Sequence, residues 1–258
     1  MPQPSSVSSR AALVTGGAQR IGRAITLALA EHGYAVAIHA RRSRAEADRL
    51  SAEIAAAGGR AAVLTADLAD HEAVLRLVPD AAAAVGALTL LVNNASEFEP
   101  DEIGQLDRAR FDRHLAVNLR APIFLAQAFA AQLLPDIDGA IVNLLDQRVY
   151  KPTPRFFSYG LSRSALYDAT TTLAQALAPR IRVNAVAPGP TLPSARQDAQ
   201  AFARQVHALP LDRGPSPQEI ADAVLYFATA RSVTGTTIAV DGGQHLAWRG
   251  TSGADADE

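Results

Sequence analysis

Tyr159 and Arg163 stand four residues apart, and Asp146 precedes the tyrosine by thirteen. Residues four apart on a helix share one face. A guanidinium beside a phenol favours the tyrosinate, which lowers the phenol's pKa from its reference of about 10. The expected chemistry is proton delivery from Tyr159 to a double bond under reduction, with Arg163 in support. Asn118, inside a long helical pattern, is the expected supporting partner. Taken alone, a Tyr/Arg pair on a helix also fits ordinary surface stacking.

A second set of residues suits a dinucleotide. The segment AALVT runs directly into GGAQRIGRA. A strand, then glycines, then a helix start lets backbone approach a pyrophosphate at the positive helix end. Gly16 and Gly22 are the close-approach positions. Arg20 stands where a glycine is expected and can add a charge-assisted contact to phosphate. A tight turn that needs glycine for ordinary reasons is the other reading of this loop.

The second apolar segment ends IHARRSRAEA. An acidic residue at this place would hold the adenosine ribose of NAD. Arg41, Arg42 and Arg44 stand there instead, with Ser43, and this cluster suits a 2′-phosphate. A basic helix start without an anion is slightly unfavourable, so NADP(H) is the expected cofactor. His39 is expected at the strand end as a packing or hydrogen-bonding residue bordering that site. Asp67 can accept from an adenine amino group, or it can cap the helix that begins near Asp70. Asn93 and Asn94 end another apolar segment, at the carboxyl edge where open α/β sheets bind ligands.

These residues need elements to position them. Short apolar segments, at 11–15, 35–39, 61–65, 88–92, 140–144, 182–186 and 237–240, predict seven strands. Helical patterns cover 20–31, 43–57, 70–84, 106–134, 157–178 and 217–229. The strands lack clean alternation, which fits a sheet covered on both faces. Their alternation with helices predicts βαβ units and an α/β domain. Residues 189–214, rich in proline and polar side chains, predict a mobile cover over the site, with a helix at 194–206. The ends, 1–10 and 250–258, read as frayed tails around a single domain at 11–249.

Composition removes several function classes. With 24 basic and 26 acidic residues the formal charge is −2, so nothing favours nucleic acid. Cysteine is absent, which excludes disulfides and thiolate catalysis. The six histidines form no metal-binding pair of the HExxH kind, so no metal is expected. No apolar run reaches the ~18 residues of a membrane span. The opening MPQPSSVSSR does not read as a secretory signal, so a cytoplasmic location is expected.

The motif set resembles the short-chain dehydrogenase/reductase family across about residues 10–245. The carriers are TGGAQRIG at 15–22, Asp67, NNA at 93–95, Asn118, Tyr159 with a basic residue four on, and PG at 188–189. The resemblance implies a single-domain Rossmann fold, a doubly wound, mostly parallel seven-stranded sheet. It implies that Gly16, Arg20, Ile21, Gly22 and His39 border the cofactor, with Arg41, Arg42, Ser43, Asp67 and Leu68 at the adenosine end. Asn94, Ala95, Tyr159, Arg163, Pro188 and Gly189 would border the nicotinamide half. The family carries its reaction on a Ser–Tyr–Lys set with a supporting Asn. Here Asp146 stands at the serine position and Arg163 at the lysine position.

Within the family, pteridine reductases are similar in several particulars. They share the arginine in the glycine loop, a His-x-x-Arg-Ser segment, Asn-Asn-Ala-Ser followed two residues on by phenylalanine, and aspartate for serine. Here these are Arg20, His39 with Arg42 and Ser43, NNAS at 93–96 with Phe98, and Asp146. The resemblance implies that Phe98 stacks a pterin, that Ser96 and Arg20 touch pterin or phosphates, and that Asp146 and Tyr159 deliver the proton. It also implies a homotetramer, part of whose interface is the segment 234–244. An aspartate cannot donate to a carbonyl oxygen unless protonated, whereas a Tyr–Asp pair can pass a proton from water to an imine nitrogen. Arginine in place of lysine stays charged but cannot release a proton. Lys151 is the only lysine among the 24 basic residues, so arginine is favoured throughout the chain. Two other readings stay open: a reductase of another small carbonyl or imine, and an NADP-binding regulatory or structural protein with weak or no turnover.

Overall fold

A computed structural model describes residues 10–194 and 196–247. Seven strands, β1 (Ala11–Val14), β2 (Ala35–Ala40), β3 (Arg60–Thr65), β4 (Leu90–Asn93), β5 (Gly139–Leu144), β6 (Ile181–Pro188) and β7 (Thr237–Val240), form one sheet. Its order is β3-β2-β1-β4-β5-β6-β7, and every pairing is parallel. The expectation is a mostly parallel sheet; the observed one is wholly so, because every connection is a crossover carrying helix or long loop.

Alternation across the pleat builds a core on each face. Ala12 and Val14 of β1 point toward α1 (Arg20–Glu31), α2 (Arg44–Ala56) and α8 (Pro217–Thr229), among Ile25, Leu29, Leu50, Val224 and Phe227. Ala11 and Leu13 point the other way, toward α3 (His71–Val85), α5 (Ala121–Gln132) and α6 (Phe157–Leu177), among Val74, Leu77, Leu125 and Phe129. Both faces are apolar because both are covered, which is why the strands read as unbroken hydrophobic runs. Strand order reverses between β1 and β4, so the crevice of the switch point opens beyond their carboxyl ends. The turns after β1, β4, β5 and β6 all reach it.

Two helices differ from expectation. The pattern at 106–134 is not one helix. It divides into α4 (Arg108–Leu115), a wide π turn at Ala116–Arg120, and α5. Pro122 has no amide hydrogen and cannot bond the Asn118 carbonyl four residues back. The ladder widens there, and the Ala121 amide reaches Ala116 O, five residues back. In the 189–214 segment the helix α7 begins at Ala199 and ends at His207, with the Asp198 carboxylate accepting from the Ala201 amide at 2.6 Å.

The tails expected over 1–10 and 250–258, and the domain's last two residues 248–249, lie outside the described residues, save Arg10. That residue is anchored. Its carbonyl accepts from the Ala35 amide, and its guanidinium donates to His32 O and lies 4.8 Å from the Tyr34 ring centroid.

Candidate active site

The loop after β1 is held by side chains from three strands. Gly16 adopts φ +61°, a left-handed conformation that suits glycine. A Cβ on Gly22 would lie 2.0 Å from Gly16 O and 2.6 Å from Asn94 Nδ2, so the helix start and the loop touch through bare backbone. Asn94 Nδ2 donates to Thr15 O and Gly16 O, while the Asn94 and Ala95 amides donate to Thr15 Oγ1. His39 accepts from the Gly16 amide on Nδ1 and lies 3.1 Å from Ala66 O through Nε2. Its proton therefore sits on Nε2, and burial holds its pKa below the usual histidine value. His39 borders the cleft, and both ring nitrogens are spent on shaping the loop.

The cluster after β2 divides in function. Arg41 forms an ion pair with Glu97 at 2.8 Å, and the same carboxylate oxygen accepts from Arg113 Nε at 2.8 Å. Arg113 also pairs with Asp67 at 3.1 Å. Arg44 bonds Asp48 one turn along α2, away from the cleft. Arg42 is exposed and, with Ser43, lines the cleft alongside Arg41, Asp67 and Leu68. Asp67 does not cap α3. Asp70 does, accepting from the Glu72 and Ala73 amides.

At the other end Tyr159 Oη donates to Asp146 Oδ2 at 2.8 Å. Asp146 also accepts from the Arg148 amide at 2.8 Å and from its guanidinium at 3.2 Å, which holds the carboxylate at the head of the short turn following β5. Arg163 is 2% exposed, donates through Nη1 to Leu144 O at 3.0 Å, and lies 5.4 Å from the Tyr159 ring centroid. The spacing of four therefore does place both groups on one helix face, and it is a buried face. The expected fall in the Tyr159 pKa is reversed. Burial and the Asp146 charge raise it, outweighing Arg163 and Arg148, which lower it. Tyr159 is a neutral phenol with its proton turned toward Asp146.

Phe98 is half-buried and lines both ends of the cleft. Its ring stacks on Phe156 at 4.4 Å and 5°, and meets Tyr159 edge-on at 4.6 Å. One ring face is thus already covered by protein. Asn118 bonds none of Asp146, the Tyr159 phenol or Arg163. It is fully buried in the π turn, where it bonds the Glu97 amide and carbonyl and Ser162 Oγ, so it positions the segment leading to Phe98. Ser96, Ile21, Pro188 and Gly189 line the cleft. A Cβ on Gly189 would lie 2.6 Å from Asp241 Cα, so no side chain fits there. Arg20, in a left-handed conformation, donates to Leu192 O and Pro193 O. Residues 190–192 and 194, Gln197, Phe202 and Gln205 border the same cleft, which places the 189–214 segment over it.

Sequence reasoning missed Glu97, Arg113, Gln147, Arg148, Phe156 and Arg196. Arg196 bonds Phe98 O and Glu99. For Arg148 a signal existed: it follows Asp146 by two, the spacing of an aspartate that turns its own chain. The others meet only through tertiary closure. Among the described residues no group of metal-type ligands converges, and no helix is long and apolar enough to cross a membrane.

A wholly parallel sheet with a glycine loop after β1 and a helix-borne tyrosine beside a buried cation defines a dinucleotide-dependent oxidoreductase. The sequence pattern described as "Enoyl-(Acyl carrier protein) reductase" matches residues 16–245, and the chain belongs to the short-chain dehydrogenase/reductase family. A 3-oxoacyl-[acyl-carrier-protein] reductase of Staphylococcus aureus is 32% identical over 92% of this chain and 99% of its own. Among solved structures, FolM alternative dihydrofolate reductase 1 of Brucella canis, complexed with NADP, is 52% identical with a TM-score of 0.92, covering 97% of this chain and 99% of its own. The Brucella suis protein of the same name, also with NADP, is 54% identical with a TM-score of 0.92, covering 94% and 98%.

Proposed function

We propose that the protein reduces a dihydropterin, or a dihydrofolate, with NADPH. The observation that carries this reading is the Tyr159–Asp146 hydrogen bond on a cleft bordered by Phe98. The residues present fit the cofactor. Gly16 and Gly22 leave backbone bare at the start of α1, where a helix end favours phosphate. Arg42 and Ser43, on the cleft border after β2, would hold the 2′-phosphate. Arg163 keeps a buried Nε with no hydrogen-bond partner, a donor suited to a ribose hydroxyl.

When bound, NADPH supplies the hydride. Tyr159 holds the proton that the reduced nitrogen requires, and Asp146 orients that proton and can draw a replacement from water. Asp146 keeps the site from polarising a ketone oxygen as a serine would, because an ionised carboxylate only accepts. Arg148 balances the carboxylate. The FolM proteins, at 52% and 54% identity, support a folate-type substrate. The 3-oxoacyl reductases, at 32%, favour a carbonyl instead, which the aspartate opposes. Assembly as a homotetramer and a cytoplasmic location complete the proposal.

The test is NADPH oxidation by purified protein offered dihydrobiopterin, dihydrofolate and an acetoacetyl thioester in parallel. Turnover of either of the first two without the third is the expected result. Turnover of the thioester alone would replace this reading with a ketone reductase. Tight NADPH binding with no oxidation would leave only a nucleotide-binding protein.

A further inference from the structure

Behind the cleft lies a chain of three buried polar side chains that the chemistry above does not use. Asp101 follows the Phe98 segment, His114 is on α4, and Ser158 is in the first turn of α6. Asp101 is 7% exposed, and His114 and Ser158 are fully buried. Asp101 Oδ1 accepts from the Ser158 amide at 3.0 Å and Oδ2 accepts from Ser158 Oγ. The Asp101 carbonyl accepts from the Phe157 amide. Asp101 thereby satisfies the start of α6 from outside the helix, where Phe156, at φ +57°, offers no side-chain cap. His114 Nδ1 lies 2.6 Å from Ser158 Oγ, and Nε2 accepts from the Glu99 amide at 3.1 Å.

The donors in this chain have one consistent direction. A carboxylate has no proton to give, so the single Ser158 proton turns to Asp101. The Ser158 oxygen must then accept, which puts the imidazole proton on Nδ1. That leaves Nε2 bare, as the Glu99 amide requires. The chain reaches both walls of the cleft. Ser158 precedes Tyr159 by one residue, and Glu99 follows Phe98 by one. The Phe98 and Tyr159 rings meet edge-on at 4.6 Å between those two points.

We propose that Asp101, Ser158 and His114 are positioning residues, a one-way hydrogen-bond relay that sets Phe98 against Tyr159 and so places the substrate ring over the proton donor. The proposal rests on the reading that Phe98 borders the substrate. None of the three touches the reacting atoms.

The tautomer reads the direction of the relay, and kcat/KM set against NADPH affinity reads the positioning. Nitrogen-15 NMR of the full-length protein, with His114 assigned by its loss in H114Q, reads which ring nitrogen carries the proton. The expected result is a proton on Nδ1 in the wild type. Ser158→Ala removes the middle link while leaving Asp101 to accept from the backbone. It should leave the His114 proton on Nδ1, since the Glu99 amide still needs a bare Nε2, and lower kcat/KM roughly ten- to a hundredfold, with the dissociation constant for NADPH unchanged. A wild-type proton on Nε2 overturns the relay without any variant. Wild-type kinetics in S158A, with NADPH binding showing that it is folded, overturn the positioning role. Kinetics are measured on whichever substrate the protein turns over. Absence of pterin turnover therefore sinks the proposed substrate, while the His114 tautomer still decides separately whether the relay exists.

Discussion

Tyr159 and Asp146 are joined by one hydrogen bond of 2.8 Å, with the phenol as donor, and the carboxylate is itself anchored by two donors from Arg148. The phenol thus enters the reaction protonated, and delivery requires its proton to turn from the carboxylate to the substrate. Tyr159→Phe removes that proton and little volume. Turnover should fall by ~10²–10⁴, the usual contribution of a positioned acid, while NADPH affinity holds. Turnover in Y159F equal to the wild type would falsify the assigned role.

The same pair has a titration signature. Burial first and the Asp146 charge second raise the Tyr159 pKa. Asp146→Asn removes the charge and keeps the shape, so the phenol should ionise at lower pH, visible by ultraviolet difference titration against Y159F. The raised value also carries a sign for stability. Above about pH 10 the unfolded chain loses the phenolic proton first, so stability falls as pH rises further. An unchanged or higher Tyr159 pKa in D146N would show that the carboxylate does not govern the phenol.

Arg163 is a buried cation beside the Tyr159 ring. Arg163→Lys keeps the charge near the Tyr159 ring but shortens the reach to Leu144 O, now 3.0 Å from Nη1. Arg163→Met loses the charge. Turnover should stay within about tenfold in R163K and fall by at least roughly a hundredfold in R163M, as expected when a charged partner of a catalytic acid is removed. Equal loss in both variants would mean that the guanidinium's shape, and not its charge, is what the site needs.

Much of this was legible in the sequence, and the exceptions have physical causes. The seven strands and the spacing of Tyr159 from Arg163 follow from local patterns that fold as written. The break at Asn118 was also written, in Pro122, but a strongly helical stretch on both sides hid it. The direction of the Tyr159 shift was not legible, since spacing records the neighbouring charge and says nothing of burial. Phe156 and Arg148 close on Phe98 from across a turn, and Glu97 joins Arg41 to Arg113 from three separate segments. Such contacts exist only once the chain is closed.

Cofactor choice should rest unequally on the two arginines after β2. Arg41 is engaged by Glu97 at 2.8 Å, while Arg42 is exposed on the cleft border. A charge-assisted contact to a 2′-phosphate is lost in Arg42→Ala, so affinity for NADPH should fall roughly ten- to a hundredfold with NADH binding unchanged. Arg41→Ala should cost less, because Glu97 keeps Arg113. Calorimetric titration of both cofactors separates these outcomes, and equal use of NADPH and NADH by the wild type would remove the phosphate role from the cluster.

His39 makes the loop after β1 acid-sensitive. Burial lowers its pKa, and Ala66 O and Asp67 only partly offset that. Its lone Nδ1 acceptor serves the Gly16 amide at 3.1 Å, so protonation would break the bond that shapes the loop. The unfolded chain takes up a proton below about pH 6.5, ahead of the native state. The His39 contribution is therefore complete above that pH and is lost as pH falls through the lower native value. His114, lowered mainly by burial, adds to the same limb. His39→Ala strands the Gly16 amide, which costs about 1–3 kcal/mol, or about 2–4 °C in Tm per kcal/mol for a domain of this size. Melting curves between pH 5 and pH 8 (about 6.5 being the reference histidine pKa) should show the wild type losing stability on the acid side more steeply than H39A. Parallel curves for the two proteins would mean that the imidazole is not held neutral by the fold.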